Sequence, residues 1–428
     1  MSQRRAVAAG RSPAGGAGRW DGLVVICAAK QFNGIKMAEQ HMAEELSRLG
    51  PVLYVDPPLS LAAARRDPAT AALAAQPRLR LVRPNLAHLT PVLPPGPYRP
   101  GLSPLTTALV RHCVRSAVRR LGGRVRAVVS AGPQFLPAGS CRELVHVYWV
   151  LDDYVAGADL LGLSRRSLAA RERRTATAAD FVLAVSPVLA DCWQRRGFPV
   201  RLLPNGVDVA AYADVDTADP AADAADLPAP ITGLIGHING RTDLALLEAV
   251  ADRGRSLLLV GPLKRGLDQA RFDALRRRPN VRWVGPKPSA ALPGYLRLME
   301  VGLVPYQDSS FNRGSFPLKT LEYLAAGRGV VATDLPAVQW LATDLVAVAS
   351  GPSHFADQVD RMLGQDRSPA VMAARRALAA QHSWSSRAEI MYEAILNCAR
   401  YGRGRFFPSI PLPRSAPIHL PIHDDRPS

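Results

Sequence analysis

SFPLKTLEYLAAGRGVVATDLP, residues 315–336, sets a proline, a lysine, a glutamate and two glycines around a short apolar helix. Ser315 and Pro317 stand where a helix begins, because a serine hydroxyl accepts from orphan N–H groups and proline suits the first turn. Gly327 is placed to end it. Leu318, Leu321 and Leu324 recur at three-residue spacing and predict a buried face, with Lys319 and Glu322 three apart on a neighbouring face. GVVAT, residues 329–333, reads as a strand returning to a sheet. Pro317 and Glu322 are about 7.5 Å apart along the axis at 1.5 Å rise per residue. That geometry suits a nucleotide diphosphate: free N–H groups and the partial positive charge of the helix start hold phosphate, and a carboxylate further in accepts from ribose hydroxyls. Taken alone, the same residues describe an exposed i, i+3 ion pair on an ordinary surface helix equally well.

Outward from this stretch the chain alternates apolar runs with helical patterns. ITGLIG, SLLLVG, NVRWVG, VGLVPY, GVVAT and LVAVA supply six strands between residues 231 and 349, a doubly wound signature. A first α/β region starts at LVVICA (residues 23–28) and continues through a helix over 36–49, PVLYVD (51–56), a helix over 105–121, RAVVSA (126–131), ELVHVYWV (143–150) and DFVLAVS (180–186). Residues 59–76 are alanine-rich and ambiguous. LRLV and AHLTPV are weaker strand candidates. Helical patterns over 354–381 and 385–401 close the fold.

These signals divide the 428 residues into a disordered segment 1–21, a domain 22–204, an Asp/Ala/Pro-rich connector 205–230, a domain 231–384, a closing helix 385–401 and a Pro-rich disordered tail 402–428. No internal repeat is evident. Five dispersed cysteines without CxxC or Cys/His spacing argue against a zinc site or a disulfide framework, so no metal and a reduced cytoplasmic setting are expected. No run approaches the roughly 20 apolar residues that span a bilayer. The net charge of +17 rests mainly on arginine, with only five lysines. A cationic surface favours phosphorylated ligands or an anionic membrane face. Nucleic acid is disfavoured, since no basic patch is interleaved with aromatics.

Neither half carries GxGxxG or the P-loop pattern. Instead Gly236, Gly261 and Gly285 each follow a strand, where a glycine lets a ligand approach the carboxyl edge of the sheet. A turn needs glycine too, so the argument lies in their shared position.

LPNGVD (203–208), LIGHI, LLLVGP, NVRWVGPKPSAALPGYL, VGLVPY and FPLKTLEYLAAGRGVVATDLP together resemble the retaining glycosyltransferases of the GT-B fold. The likeness is to family 4 (glycosyl transferases group 1) and within it to teichuronic-acid-biosynthesis-type bacterial enzymes. It runs over about residues 23–397 and is most specific between 231 and 336. The resemblance implies an α/β fold of two Rossmann-like doubly wound domains facing across a cleft, a nucleotide sugar on the C-terminal domain and an acceptor on the N-terminal one. It implies that Glu322 holds ribose hydroxyls and that Lys319 and Arg241 stabilise the diphosphate. Gly236, His237, Gly261 and the segment Ser315, Phe316, Pro317, Leu318 would line the nucleotide sugar. A lysine usual a few residues after Arg241 is replaced by Leu246, with Lys264 as substitute. Eight residues before Glu322, where many members carry an acidic residue that contacts the donor sugar, stands Gly314.

In the first domain QFNGIK, with Asn33, Gly34 and Lys36, resembles the glycine loop facing the acceptor, and a plain strand-to-helix turn explains it equally well. Asp152 and Asp153 in VYWVLDDY look like a DxD metal motif, but adjacent carboxylates point to different sides of an extended chain, so a role in positioning the acceptor is favoured. His146, within the same run, reads as a buried, hydrogen-bonded histidine.

The implied reaction is metal-independent transfer of a hexosyl group to a hydroxyl of a cell-surface polysaccharide or lipid-linked glycan. It needs no cofactor beyond the donor, and peripheral contact with an anionic membrane is expected. Two other readings stay open. A nucleotide-sugar 2-epimerase of the same fold would form product from donor alone. A non-catalytic nucleotide-binding scaffold, which Gly314 favours, would bind without turnover.

Overall fold

The computed structural model describes residues 18–34, 36–94, 103–133, 139–264, 266–365 and 368–402. Most of the expected disordered ends therefore lie outside the described residues. Residues 18–21 of the expected segment are described, and Trp20 among them is buried in one cluster with Leu23 and Val125.

By its contacts the chain divides into two units. One runs to Trp149 and adds Ser167–Phe181 and the stretch from Trp384; the other comprises Val150–Arg166 and Val182–Ser383. The first ten strands are β1 (Leu23–Cys27), β2 (Val52–Val55), β3 (Leu59–Ser60), β4 (Leu79–Arg83), β5 (Leu86–Leu89), β6 (Val92–Leu93), β7 (Val125–Ser130), β8 (Val145–Val150), β9 (Phe181–Ala184) and β10 (Val200–Leu202). In the first unit β8, β7, β1, β2, β5 and β4 lie in that order. All of these pairs are parallel except β4 with β5. The order turns at β1, so the loop after β1 occupies a topological switch point. The ambiguous stretch 59–76 resolves into β3 and two short helices, Leu61–Ala64 and Pro68–Ala75, none of whose residues is buried. The last helix, Trp384–Tyr401, packs on Ala38–Leu49, with the Trp384 and His41 rings stacked at 5.4 Å.

The second unit carries the six apolar runs as β11 (Ile231–Ile235), β12 (Ser256–Val260), β13 (Val281–Trp283), β14 (Met299–Val304), β15 (Gly329–Thr333) and β16 (Val346–Ala349). They form one parallel sheet in the order β13-β12-β11-β14-β15-β16. The order reverses between β11 and β14, and ligands of such sheets sit at the carboxyl ends of the strands there. Residues 354–381 form two helices, Pro352–Leu363 and Pro369–Gln381, rather than one pattern. The acidic connector is tied to this unit by its aspartates: Asp216 pairs with Arg328 (2.7 Å), Asp223 with Lys287 (2.6 Å) and Asp226 with Arg282 (2.8 Å).

Candidate functional site

The Leu318–Ala325 helix is fixed from beneath. Thr320, Leu321, Tyr323, Leu324 and Ala325 are its buried residues, so the buried face turns on Tyr323 as well as on leucine, and Leu318 stays half-exposed. The Tyr323 ring lies against Gly302 of β14, where a Cβ would come within 2.2 Å of the ring. Its hydroxyl accepts the Ile235 N–H at 2.8 Å, and burial pushes its pKa up. A tyrosine wedged between two strands sets the rotation of the helix, and with it the directions of Lys319 and Glu322.

Ser315 does not cap this helix. Pro317 holds the N-cap position with no side-chain cap, while the Ser315 hydroxyl lies 2.9 Å from Asp152 Oδ1 and 3.0 Å from the Phe311 carbonyl. The cap reading fails because the serine has a carboxylate partner far away in sequence. The helix start consequently has no side-chain cap, the state in which an anion could take that place.

Lys319 Nζ lies 2.5 Å from Glu322 Oε2, and both side chains are about a quarter exposed. The pair is therefore real, and it stands beside Gly236 of the β11 edge, where an added Cβ would meet Lys319 Cε at 3.3 Å. Gly236 and Gly261 need to be glycines: their φ angles are +147° and +143°, and a Cβ on Gly261 would lie 1.8 Å from the Gly236 carbonyl. The Tyr212 phenol faces Glu322: its pKa is raised first by burial and then by the Glu322 charge, so it stays protonated. Tyr212 belongs to a 3-10 turn, Val209–Tyr212, in what the sequence presents as a plain connector.

Arg241 sits a few residues beyond β11. Its guanidinium carbon is 5.0 Å from the Tyr306 ring centre and 4.7 Å from that of Phe311, and Nε donates to Asn312 Oδ1 at 2.8 Å. Asn312 is 1% exposed, and its own amide donates to the Gln307 carbonyl at 2.8 Å. The arginine is thus oriented by two rings and a neutral amide, and among the described residues no carboxylate neutralises it. Leu246, in place of the usual lysine, is buried in the core of this unit. Lys264 and His237 are exposed, and Lys264 N–H donates to the Ile238 carbonyl. Phe316 is buried edge-on to Trp340.

Asp152 meets Ser315 as above. Asp153 caps a turn through the Ala156 N–H at 2.8 Å and fills the space beside Gly314: a Cβ there would lie 3.0 Å from Asp153 Cβ. The Gly314 carbonyl accepts from Ser186 at 2.6 Å. Among the described residues no three His, Cys, Asp or Glu side chains gather as a metal cluster would require.

In the first unit, Asn33 and Gly34 are exposed on the loop after β1, and Lys36 pairs with Glu44 at 2.9 Å. His146 is buried, its ring nitrogens 3.0 Å from Ser130 Oγ and 3.1 Å from the Ala178 carbonyl. The structure thus joins Gly236, Lys319 and Glu322 in one cluster and Arg241, Ser315 and Asp152 in a chain of contacts through Phe311 and Asn312. Sequence reasoning missed Tyr212, Tyr306, Asn312 and Tyr323. Only the tyrosine inside LEYLA offered a signal, as a large ring within the apolar face.

Residues 242–365 match the family described as Glycosyl transferases group 1. A Bacillus subtilis (strain 168) protein, TuaH, named for teichuronic acid biosynthesis as a glycosyltransferase, is 30% identical over 191 residues, 44% of this chain and 48% of the relative. The chain thus matches about half the length of that relative. The fold is similar over 88% of this chain and 98% of a sucrose-phosphate synthase from Thermosynechococcus elongatus (TM-score 0.66, 16% identity). It is similar over 88% of this chain and 99% of Anabaena HepE in complex with UDP and glucose (0.59, 14%). A third likeness covers 87% of this chain and 98% of an E. coli trehalose-6-phosphate protein bound with UDP-2-fluoro glucose (0.60, 13%).

Proposed function

We propose that this chain, whose residues 242–365 are a glycosyl transferases group 1 domain within a GT-B fold, moves a sugar from a nucleotide diphosphate sugar to a hydroxyl. The observation that carries the reading is Arg241, an oriented guanidinium with no carboxylate partner among the described residues, at the switch point of the second sheet. Departure of the nucleotide diphosphate builds negative charge. Arg241, Lys319 and the uncapped helix start would stabilise it, replacing a metal. Binding would exchange the Lys319–Glu322 pair for ligand contacts: Lys319 turns to phosphate, and Glu322 accepts the ribose hydroxyls.

Asp153 supplies a carboxylate beside the position where Gly314 lacks one, which favours an active transferase over a scaffold. Transfer would retain configuration, the leaving phosphate drawing the acceptor hydroxyl to the same face. The acceptor would be a cell-surface polysaccharide or lipid-linked glycan, met by the Asn33–Gly34 loop. The +17 charge supports peripheral contact with an anionic membrane face; flotation with anionic vesicles at low salt decides that point. No helix among the described residues is long and apolar enough to cross a membrane.

Titration of the protein with UDP, GDP and ADP, with and without magnesium, tests the donor site. Similar folds hold UDP, which makes it the first ligand to try. The expected result is magnesium-independent binding of one nucleotide, weakened at least tenfold in Glu322→Ala. Binding to none of the three removes the transferase reading.

A further inference from the structure

A second polar network lies at the carboxyl edge of the first unit's sheet, and no step above uses it. Asp56, just after β2, is 3% exposed, yet its carboxylate meets three partners. Phe32 N–H donates to Oδ1 at 2.8 Å, Thr90 Oγ1 donates to Oδ2 at 2.7 Å, and His88 Nε2 lies 2.7 Å from Oδ2. His88, on β5, is 2% exposed and accepts Arg80 Nε–H at Nδ1, 3.0 Å away. A donor on one side and a carboxylate on the other assign the ring proton to Nε2. Arg80 then reaches Gln76 Oε1 and Asn33 Oδ1, each at 2.7 Å.

The consequence lies in the loop after β1. Each residue from Ala29 to Asn33 is held by a different side chain. Glu39 accepts Ala29 N–H (3.2 Å), Tyr54 donates to the Lys30 carbonyl (2.8 Å) and Gln40 to that of Gln31 (2.9 Å). Asp56 takes Phe32, and Arg80 takes Asn33. The Phe32 ring adds contacts with Tyr54 and His88, each at 5.0 Å between centres. Four of the five holders come from a buried helix face or from β2 and its end. Arg80 differs: it stands on β4, an antiparallel strand whose neighbours Leu81 and Val82 are exposed, and it grips an exposed asparagine. Ordering an exposed side chain contributes little to folding, but it lowers the entropy cost of whatever binds there.

We propose that Arg80 is a positioning residue: braced by the Asp56–His88 pair, it holds Asn33 and the Gln31–Gly34 turn in one conformation, so that a hydroxyl acceptor meets a preformed loop. The inference rests on the reading of this loop as the acceptor side. Amide hydrogen exchange of the full chain, read by mass spectrometry, tests the holding directly. Arg80→Ala should raise exchange over residues 29–34 about tenfold and leave 318–326 unchanged. Arg80→Lys should not restore protection, because one ammonium cannot span three acceptors. Asn33→Ala should add nothing on top of Arg80→Ala, as coupled partners behave. In parallel, UDP release from UDP-glucose with octyl glucoside as hydroxyl probe should show KM for the glucoside raised about tenfold at unchanged UDP affinity. Wild-type exchange in Arg80→Ala, loosened exchange with an unchanged KM, or loss of UDP affinity would each overturn the proposal. A wild type that releases no UDP sinks the transferase reading instead, and the exchange measurement still decides whether Arg80 holds the loop.

Discussion

The two elements on which the proposed reaction rests are held by opposite means. The Leu318–Ala325 helix is fixed by burial, with one tyrosine wedged into the sheet and its charged residues left free to change partners. The Ala29–Asn33 loop buries little and is held residue by residue by polar side chains. An apolar anchorage fails as a unit, because a well-packed ring cannot shift without moving its neighbours. A polar one yields one contact at a time. Charge stabilisation on this view belongs to the second unit, and shape to the first.

Arg241→Ala is the strongest attempt to break that division. Turnover should fall 10²- to 10³-fold, about 3 kcal/mol, as for loss of one well-placed charge stabiliser. Stability in urea should fall only modestly, by about 1 kcal/mol, since the buried Asn312 Oδ1 loses its Arg241 donor while its amide keeps its bond to the Gln307 carbonyl. Undiminished turnover would move the charge stabilisation elsewhere and end the assignment.

Gly302→Ala probes the burial side by itself. The new methyl would need the space of the Tyr323 ring, at 2.2 Å, and the ring is fully buried. A loss of about 2–3 kcal/mol in urea denaturation is expected, with weaker nucleotide binding because the helix must move. A wild-type midpoint would mean that something other than Tyr323 locates the helix.

What the sequence made legible follows the same line. The six strands of the second unit and the helix after residue 317 were readable because burial writes itself as apolar runs and spacing. Ser315 reads locally as a cap because its partner, Asp152, lies 163 residues away. The connector hid Tyr212 in an Ala/Asp-rich stretch, since nothing local marks a phenol that meets Glu322 only in the folded chain. The loop was legible as a turn but not as a held one: Asn33 and Arg80 are 47 residues apart, and a polar pair at that distance leaves no periodicity. The neighbourhood of Gly314 shows the limit most plainly, because Asp153 fills a space that the sequence shows only as a missing side chain.

The sharpest comparison makes the same chemical change in both regions. Tyr323→Phe and Tyr54→Phe each delete one buried hydroxyl, and burial raises the pKa of both, so each phenol is protonated near neutral pH. In the helix the lost oxygen leaves the buried Ile235 N–H without an acceptor, and that donor has no water to turn to. The cost should be about 2 kcal/mol and global, seen as a lower urea midpoint. In the loop the lost hydroxyl frees the carbonyl of Lys30, an exposed residue that water can reach. There the cost should stay near 0.5–1 kcal/mol and appear as faster amide exchange over residues 29–34 alone. Equal effects in the two variants would show that loop and helix are held by the same kind of force, and the division between a buried charge platform and a pinned acceptor loop would go with it.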